Sequence, residues 1–322
     1  VSNSSTFSFK TLVRDLLLIL ALLWLGDWLV GRFVVPLFAP EAAPRFRSGN
    51  PDPNRPYGLL RSAALARADL LILGSSRALA HYDDQLLSQA LGLRAYNAGS
   101  PGFGLLQARI TFALAQKQHP VRYVLFDMVY VPREDRMIHR LEPWLGNDPV
   151  VAQVLASPDW RDRLKMRSHA YRCGGSLFDL VADYGKSPAT WGFRPKQGEL
   201  TAPPGDSEIS ESNEALPAYY GSHLEEFARQ VKGAGAQLIF VESPSWRQSY
   251  PGVPTRALRQ CYERVAREHQ IPLLKLGLQE LPQLAYSRYF SDVFHLNASG
   301  AGEFSRVLAA RLKRLKDKSS LQ

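Results

Sequence analysis

The chain has 322 residues, 45% of them hydrophobic and 21% charged, and a formal net charge of +9. That length and apolar content support a full-sized hydrophobic core and exclude wholesale disorder, without choosing between one domain carrying an insertion and two smaller ones. The basic residues are scattered apart from Arg311, Lys313, Arg314, Lys316 and Lys318. That run reads as the solvated face of a last helix, so nucleic acid is not an expected partner, whereas anionic lipid headgroups or an acidic cell-surface polymer would suit the charge.

Taken from the N-terminus, residues 1–40 read as a membrane anchor. Leu16 to Gly26 is unbroken apolar sequence with no polar stripe at helical period, as a helix surrounded by lipid requires. About 20 residues of helix cross a bilayer, and 16–35 supply them with Trp24 and Trp28 suited to the far interface. Lys10 and Arg14 precede the apolar run and favour a cytoplasmic N-terminus, which leaves the rest of the chain outside. A cleaved signal peptide is the competing reading, but no small-x-small cleavage site closes the run, and Pro36 and Pro40 come where the helix should end. Asp27 is costly in lipid and suggests a contact with another membrane subunit.

Residues 41–67 read as a linker and entry segment. Leu70–Leu73 is a short apolar run closed by Gly74, the expected first strand of a parallel sheet. Further strands are expected at Leu93–Tyr96, Val121–Phe126, Gln237–Val241 and Ile271–Leu276. Helices are expected over Leu86–Leu91, Leu105–Ala115, 219–232, a stretch beginning near Thr255, and 298–316. This alternation predicts an α/β domain formed by 68–131 and 218–316, a central parallel sheet with helices on both faces. The rhythm fails over 132–217, which reads as an insertion serving as a lid or interaction region. Residues 317–322 form a polar tail. Cys173 and Cys261 permit a single disulfide, and no cysteine or histidine cluster offers a metal site.

Two segments can carry chemistry. Gly74-Ser75-Ser76-Arg77 follows the first strand, where loops at the carboxyl edge of a parallel sheet gather sites, although Gly-Ser-Ser also suits a helix cap or a phosphate-sized turn. Asp292-Val-Phe-His295 precedes the last helix; an acid three residues from a histidine can orient the ring toward a serine, or be mere surface polarity. Arg77 could bind an anionic substrate group or pair with Asp83, Asp84 or Asp127, and Trp246 with Arg247 suggests polymer binding.

In combination these blocks resemble the SGNH/GDSL hydrolase superfamily, more narrowly its membrane-anchored branch with the DltD-like and alginate O-acetylation proteins. The resemblance covers roughly 68–131 and 235–316 and implies a three-layer fold with Ser76 as nucleophile and Asp292 and His295 completing a triad. Gly99, in Tyr96-Asn97-Ala98-Gly99, matches the family's oxyanion-hole glycine. The third block departs from the pattern, with Phe126-Asp127-Met128-Val129-Tyr130 in place of a Gly-x-Asn. The resemblance implies a cofactor-free serine esterase or O-acyltransferase in the cytoplasmic (inner) membrane, acting on an extracytoplasmic polysaccharide or teichoic-acid-like polymer beside a membrane acyltransferase or other integral subunit. The alternative is a non-catalytic accessory subunit retaining the fold. A nucleotide-binding reading is weak, because Gly74-Ser-Ser lacks the glycine fingerprint.

Overall fold

The computed structural model describes residues 9–38, 63, 66–132, 149–154, 156, 160–174, 192–201, 215–246 and 254–319. Most of the expected linker, much of the 132–217 insertion and Arg247 lie outside them. An N-terminal helix α1, Phe9–Leu29, continues through a π-helical turn, Val30–Val34, into a 3-10 turn, Val35–Phe38. Pro36 cannot donate to the carbonyl four residues back, and the ladder changes spacing around it, with the Val35 amide reaching back to the Val30 carbonyl. Phe9–Val34 is long and apolar enough to cross a membrane, and none of α1 is buried in the protein.

The remaining elements are β1 (Leu70–Leu73), α2 (Ser76–His81), α3 (Asp84–Leu91), β2 (Ala95–Asn97), α4 (Leu105–Gln118) and β3 (Tyr123–Asp127). Then come α5 (Pro149–Val154), α6 (Trp160–Lys165), α7 (Ala218–Gly233), β4 (Gln237–Glu242), α8 (Thr255–His269), β5 (Leu273–Lys275) and α9 (Ala298–Ser319). Among the described residues the five strands are all parallel, in the order β2-β1-β3-β4-β5.

Strand β1 explains why short apolar runs make this sheet. Leu71 and Leu73 point into a core shared with Leu105 and Phe112 of α4, Leu224 and Phe227 of α7, and Leu258 and Val265 of α8. Leu70 and Ile72 point the other way, against Ala78 of α2, Leu87 of α3, and Phe304 and Leu308 of α9. Both faces are covered, so every residue of the strand is buried, and each large side chain contributes about 1.5–3 kcal/mol. In the order β2-β1-β3-β4-β5 the chain leaves β1 toward β2 on one side and β3 toward β4 on the other. The crevice at their carboxyl ends is the topological switch point at which such sheets bind ligands.

The end of the apolar helix is packed against this domain. Val30, Val34 and Val35 lie against a cluster of Leu106, Ile110 and Leu114 of α4, Val151 and Val154 of α5, and Cys173. Asp27, whose position suggested a contact with another membrane subunit, has partners within the chain. Its carboxylate accepts hydrogen bonds from the Ser168 hydroxyl at 2.6 Å and the Ala170 amide at 2.9 Å, with His169 Nδ1 3.1 Å away. Cys173 and Cys261 are both free, and burial pushes the Cys173 thiol up to about 11.

Candidate active site

The turn after β1 is made possible by Gly74, whose φ of +146° disfavours any side chain and whose missing Cβ would meet Ala78 Cβ at 2.9 Å. The chain therefore passes from strand to helix within two residues. Ser75 is the N-cap of α2, its hydroxyl accepting from the Arg77 amide at 3.4 Å. Ser76 is then the first helical residue, its backbone N–H without a hydrogen-bond partner among the described residues.

Ser76 Oγ lies 2.8 Å from His295 Nε2, although the two residues are 219 positions apart in sequence. His295 Nδ1 lies 2.8 and 2.9 Å from the two oxygens of Asp292. The Asp292 turn is largely self-supporting, since Oδ1 also accepts from the Phe294 and His295 amides at 2.9 and 3.0 Å. This geometry puts the proton on Nδ1 and leaves Nε2 as the acceptor facing the serine. All three residues of the expected triad are thus brought together.

Gly99 differs from expectation. Its amide, the expected oxyanion donor, is directed 2.9 Å to Asn97 Oδ1, and Gly99 is not among the residues lining the cavity beside Ser76. A side chain at 99 would place Cβ only 2.5 Å from the Leu79 nitrogen, so the glycine permits close approach of its loop to α2. Asn97 completes that clamp by donating to the Ala78 and Tyr82 carbonyls at 2.7 and 2.8 Å.

Asp127, where the resemblance calls for the third block, is fully buried and accepts from Arg77 Nε and Nη2 at 3.1 and 3.0 Å and from the Tyr82 hydroxyl at 2.7 Å. Arg77 Nη2 also donates to the Met128 carbonyl at 2.5 Å. Nη1 has no partner among the described residues. Arg77 forms part of the wall of a cavity of about 380 Å³ with Ser76, His295, Gly102, Met128, and Leu258. A hollow of about 470 Å³ lies at the opposite edge of the sheet, around Arg122, Gln237 and Ile271, and contains none of these groups. Trp246 packs edge-on against Phe290, 5.6 Å between centroids, which gives it a role in the core.

Two further residues support the site and were not identified from the sequence. His81, fully buried on α2, accepts the Leu296 amide on Nε2 at 3.0 Å, so its Nδ1–H donates to Ser243 Oγ at 3.2 Å. It ties the loop after β4 and the residue following His295 to the helix that carries Ser76, and burial holds it neutral, well below the usual histidine range. Lys196, from the insertion, places Nζ 3.1 Å from Asp292 Oδ2. The segment carrying it is docked by the Ala298 amide on the Lys196 carbonyl and by Asn297 on the Gly198 carbonyl.

Burial lowers the pKa of His295 below 6.5, opposed by Asp292 and assisted by Lys196 and Arg77. Burial raises that of Asp292, but the Phe294 amide, His295 and Lys196 more than offset it, and the carboxyl stays below its usual range. If His295 acts as a general base it must be neutral, so catalysis through it would rise with pH through a midpoint below the usual histidine range and then level off. In Lys196→Gln the removal of a positive charge favours the imidazolium, so the acid limb of kcat/KM moves to higher pH. An unmoved limb would remove Lys196 from the electrostatics of the site.

The chain matches no protein-family model, and no curated protein matches it.

Proposed function

We propose that the protein is a membrane-anchored serine esterase or O-acyltransferase of the SGNH type, working through an acyl-enzyme on Ser76. The observation that carries this reading is the continuous Ser76–His295–Asp292 hydrogen-bond array at the switch point of a parallel sheet. His295 Nε2 takes the proton as Ser76 Oγ attacks an ester carbonyl, and Asp292 stabilises the imidazolium. Collapse of the tetrahedral intermediate breaks the ester C–O bond, and His295 returns the proton to the leaving alcohol. The acyl group then passes from Ser76 to water or to an acceptor hydroxyl, with His295 again serving as base.

The expected asparagine is replaced here by a charge. Arg77, held in the cavity wall by Asp127, supplies a cation beside the Ser76 amide and stabilises the developing oxyanion in place of a neutral amide. The anchor helix favours an extracytoplasmic glycan or teichoic-acid-like polymer as acceptor, with Lys10 and Arg14 on the cytoplasmic side. A second reading, a non-catalytic subunit of a membrane complex, draws on the Gly99 amide being engaged by Asn97.

Detergent-solubilised protein given p-nitrophenyl acetate should show a burst of nitrophenol and a transient acetyl adduct on Ser76. Faster turnover with acetylated product on adding a glycan acceptor identifies a transferase, and indifference to the acceptor an esterase. Absence of both burst and adduct leaves the accessory-subunit reading.

A further inference from the structure

Among the described residues beyond position 33, the large apolar side chains left exposed are Trp160 (61%), Leu164 (58%), Tyr171 (51%) and Tyr286. Tyr286, 54% exposed, stands apart from the rest and carries the Arg288 guanidinium 4.9 Å from its ring centroid, as Trp160 carries that of Arg161 at 5.6 Å. The other three fall within one stretch, residues 160–174, which is also strongly basic. It contains Arg161, Arg163, Lys165, Arg167 and Arg172 against a single acid, Asp162. Trp160 and Leu164 are four residues apart on α6 and share one face, whereas Met166 and Cys173 turn inward to the cluster that receives Val30 and Val34. Exposed aromatic and leucine side chains interleaved with cations are the composition of a segment that lies in a membrane interface.

The position of the stretch relative to α1 is fixed by contacts on the apolar helix itself. Ser168, His169 and Ala170 close on the Asp27 carboxylate, and a side chain at Gly31 would meet the His169 ring at 2.9 Å. The 26 residues of Phe9–Val34 measure roughly 39 Å at 1.5 Å per residue, against about 30 Å of hydrocarbon and about 40–45 Å with headgroups. Val30 and Val34 are already packed on the domain, so the lipid-facing part of the helix ends before them; the stretch from Phe9 to Asp27 measures roughly 28 Å, about the hydrocarbon thickness, and with Phe9 at one boundary Asp27 lies near the other. The stretch pinned to it therefore sits at the depth where interfacial segments bury their apolar side chains.

We infer that residues 160–174 form a second, interfacial membrane contact, with Trp160, Leu164 and Tyr171 entering the headgroup boundary and Arg163 and Arg167 binding anionic lipid phosphates. This inference rests on the reading that α1 spans a bilayer. The contact, together with the packed end of α1, would hold the domain in one orientation on the membrane. The insertion would then serve two sites, the bilayer through 160–174 and Asp292 through Lys196.

The test uses the full chain in nanodiscs of mixed phosphatidylglycerol and phosphatidylcholine, in a Cys261→Ser background with Cys173 left buried. Nitroxides are placed at Leu20→Cys, Leu164→Cys and Arg311→Cys, the last on α9 across the sheet from the anchor. Collision with lipid-soluble oxygen is compared with collision with a water-soluble nickel chelate. The oxygen-to-nickel ratio should be highest at 20, severalfold above the 311 value at 164, and should fall at 164 when Arg163→Gln and Arg167→Gln are combined or phosphatidylglycerol is omitted. A ratio at 164 equal to that at 311, with 20 in lipid, overturns the interfacial contact alone and leaves the patch for a protein partner. Nickel access at 20 as well overturns the anchor reading beneath it.

Discussion

Ser76→Ala is expected to lower turnover of an activated ester such as p-nitrophenyl acetate by on the order of 10⁶-fold, if Ser76 acts as the nucleophile of a serine–histidine–aspartate array. The size of the loss follows from the array working as a unit. His295→Ala should cost about as much, and the double variant little more than either, because neither residue acts without the other. Asp292→Asn is expected to cost about 10⁴-fold by upsetting the tautomer that presents Nε2 to the serine. The fold should hardly notice Ser76→Ala. The hydroxyl's bond is to His295, alanine is compatible with the first turn of α2, and substitutions away from core features usually stay within about 0.5 kcal/mol. Loss of turnover with an unchanged melting temperature separates chemistry from unfolding.

The largest effect on stability is expected at Asp127. Asp127→Asn keeps an acceptor for the Tyr82 hydroxyl but strips the counter-charge from Arg77, and breaking a buried ion pair costs about 3–5 kcal/mol. For a domain of this size that corresponds to a fall in melting temperature on the order of 10 °C. Arg77→Met alone leaves the opposite charge buried and should be comparably destabilised. Combining the two removes both charges and should recover most of the loss, because a charge pair can often be replaced by uncharged groups without penalty. Activity in the double variant should stay low, since the cavity then lacks the cation assigned to the oxyanion. Recovery of activity together with stability would confine Arg77 to a structural role.

The sheet was legible because its central strands β1, β3 and β4 are short apolar runs buried on both faces, as a covered parallel sheet requires, while the edge strand β5 is only half-buried. The expected Leu93–Tyr96 strand is found at Ala95–Asn97, since the Arg94 carbonyl is taken by the Asp69 and Leu70 amides and Asn97 pairs with Ile72. The expected helix over Leu105–Ala115 runs on to Gln118, as nothing in Gln116-Lys117-Gln118 opposes another turn. Of the site, the parts written locally could be read. Asp292 and His295 share one turn, and Ser76 follows a strand. The supporting contacts were not legible because they join distant segments through side-chain orientation. Lys196 reaches Asp292 from an insertion without a recognisable pattern, and His81 reads as one more helical residue until its two ring nitrogens find partners. Asp27 illustrates the same limit. An isolated carboxylate in apolar sequence announces that it needs a partner, but not that residues 168–170 of the same chain will provide it.

Whether Ser76 is an activated nucleophile is tested most directly by a fluorophosphonate probe. Full-length protein in detergent should be labelled at a single site that peptide mass analysis maps to Ser76, with labelling absent in Ser76→Ala and greatly slowed in His295→Ala. A folded parent that stays unlabelled, or is labelled equally in Ser76→Ala, would contradict that role.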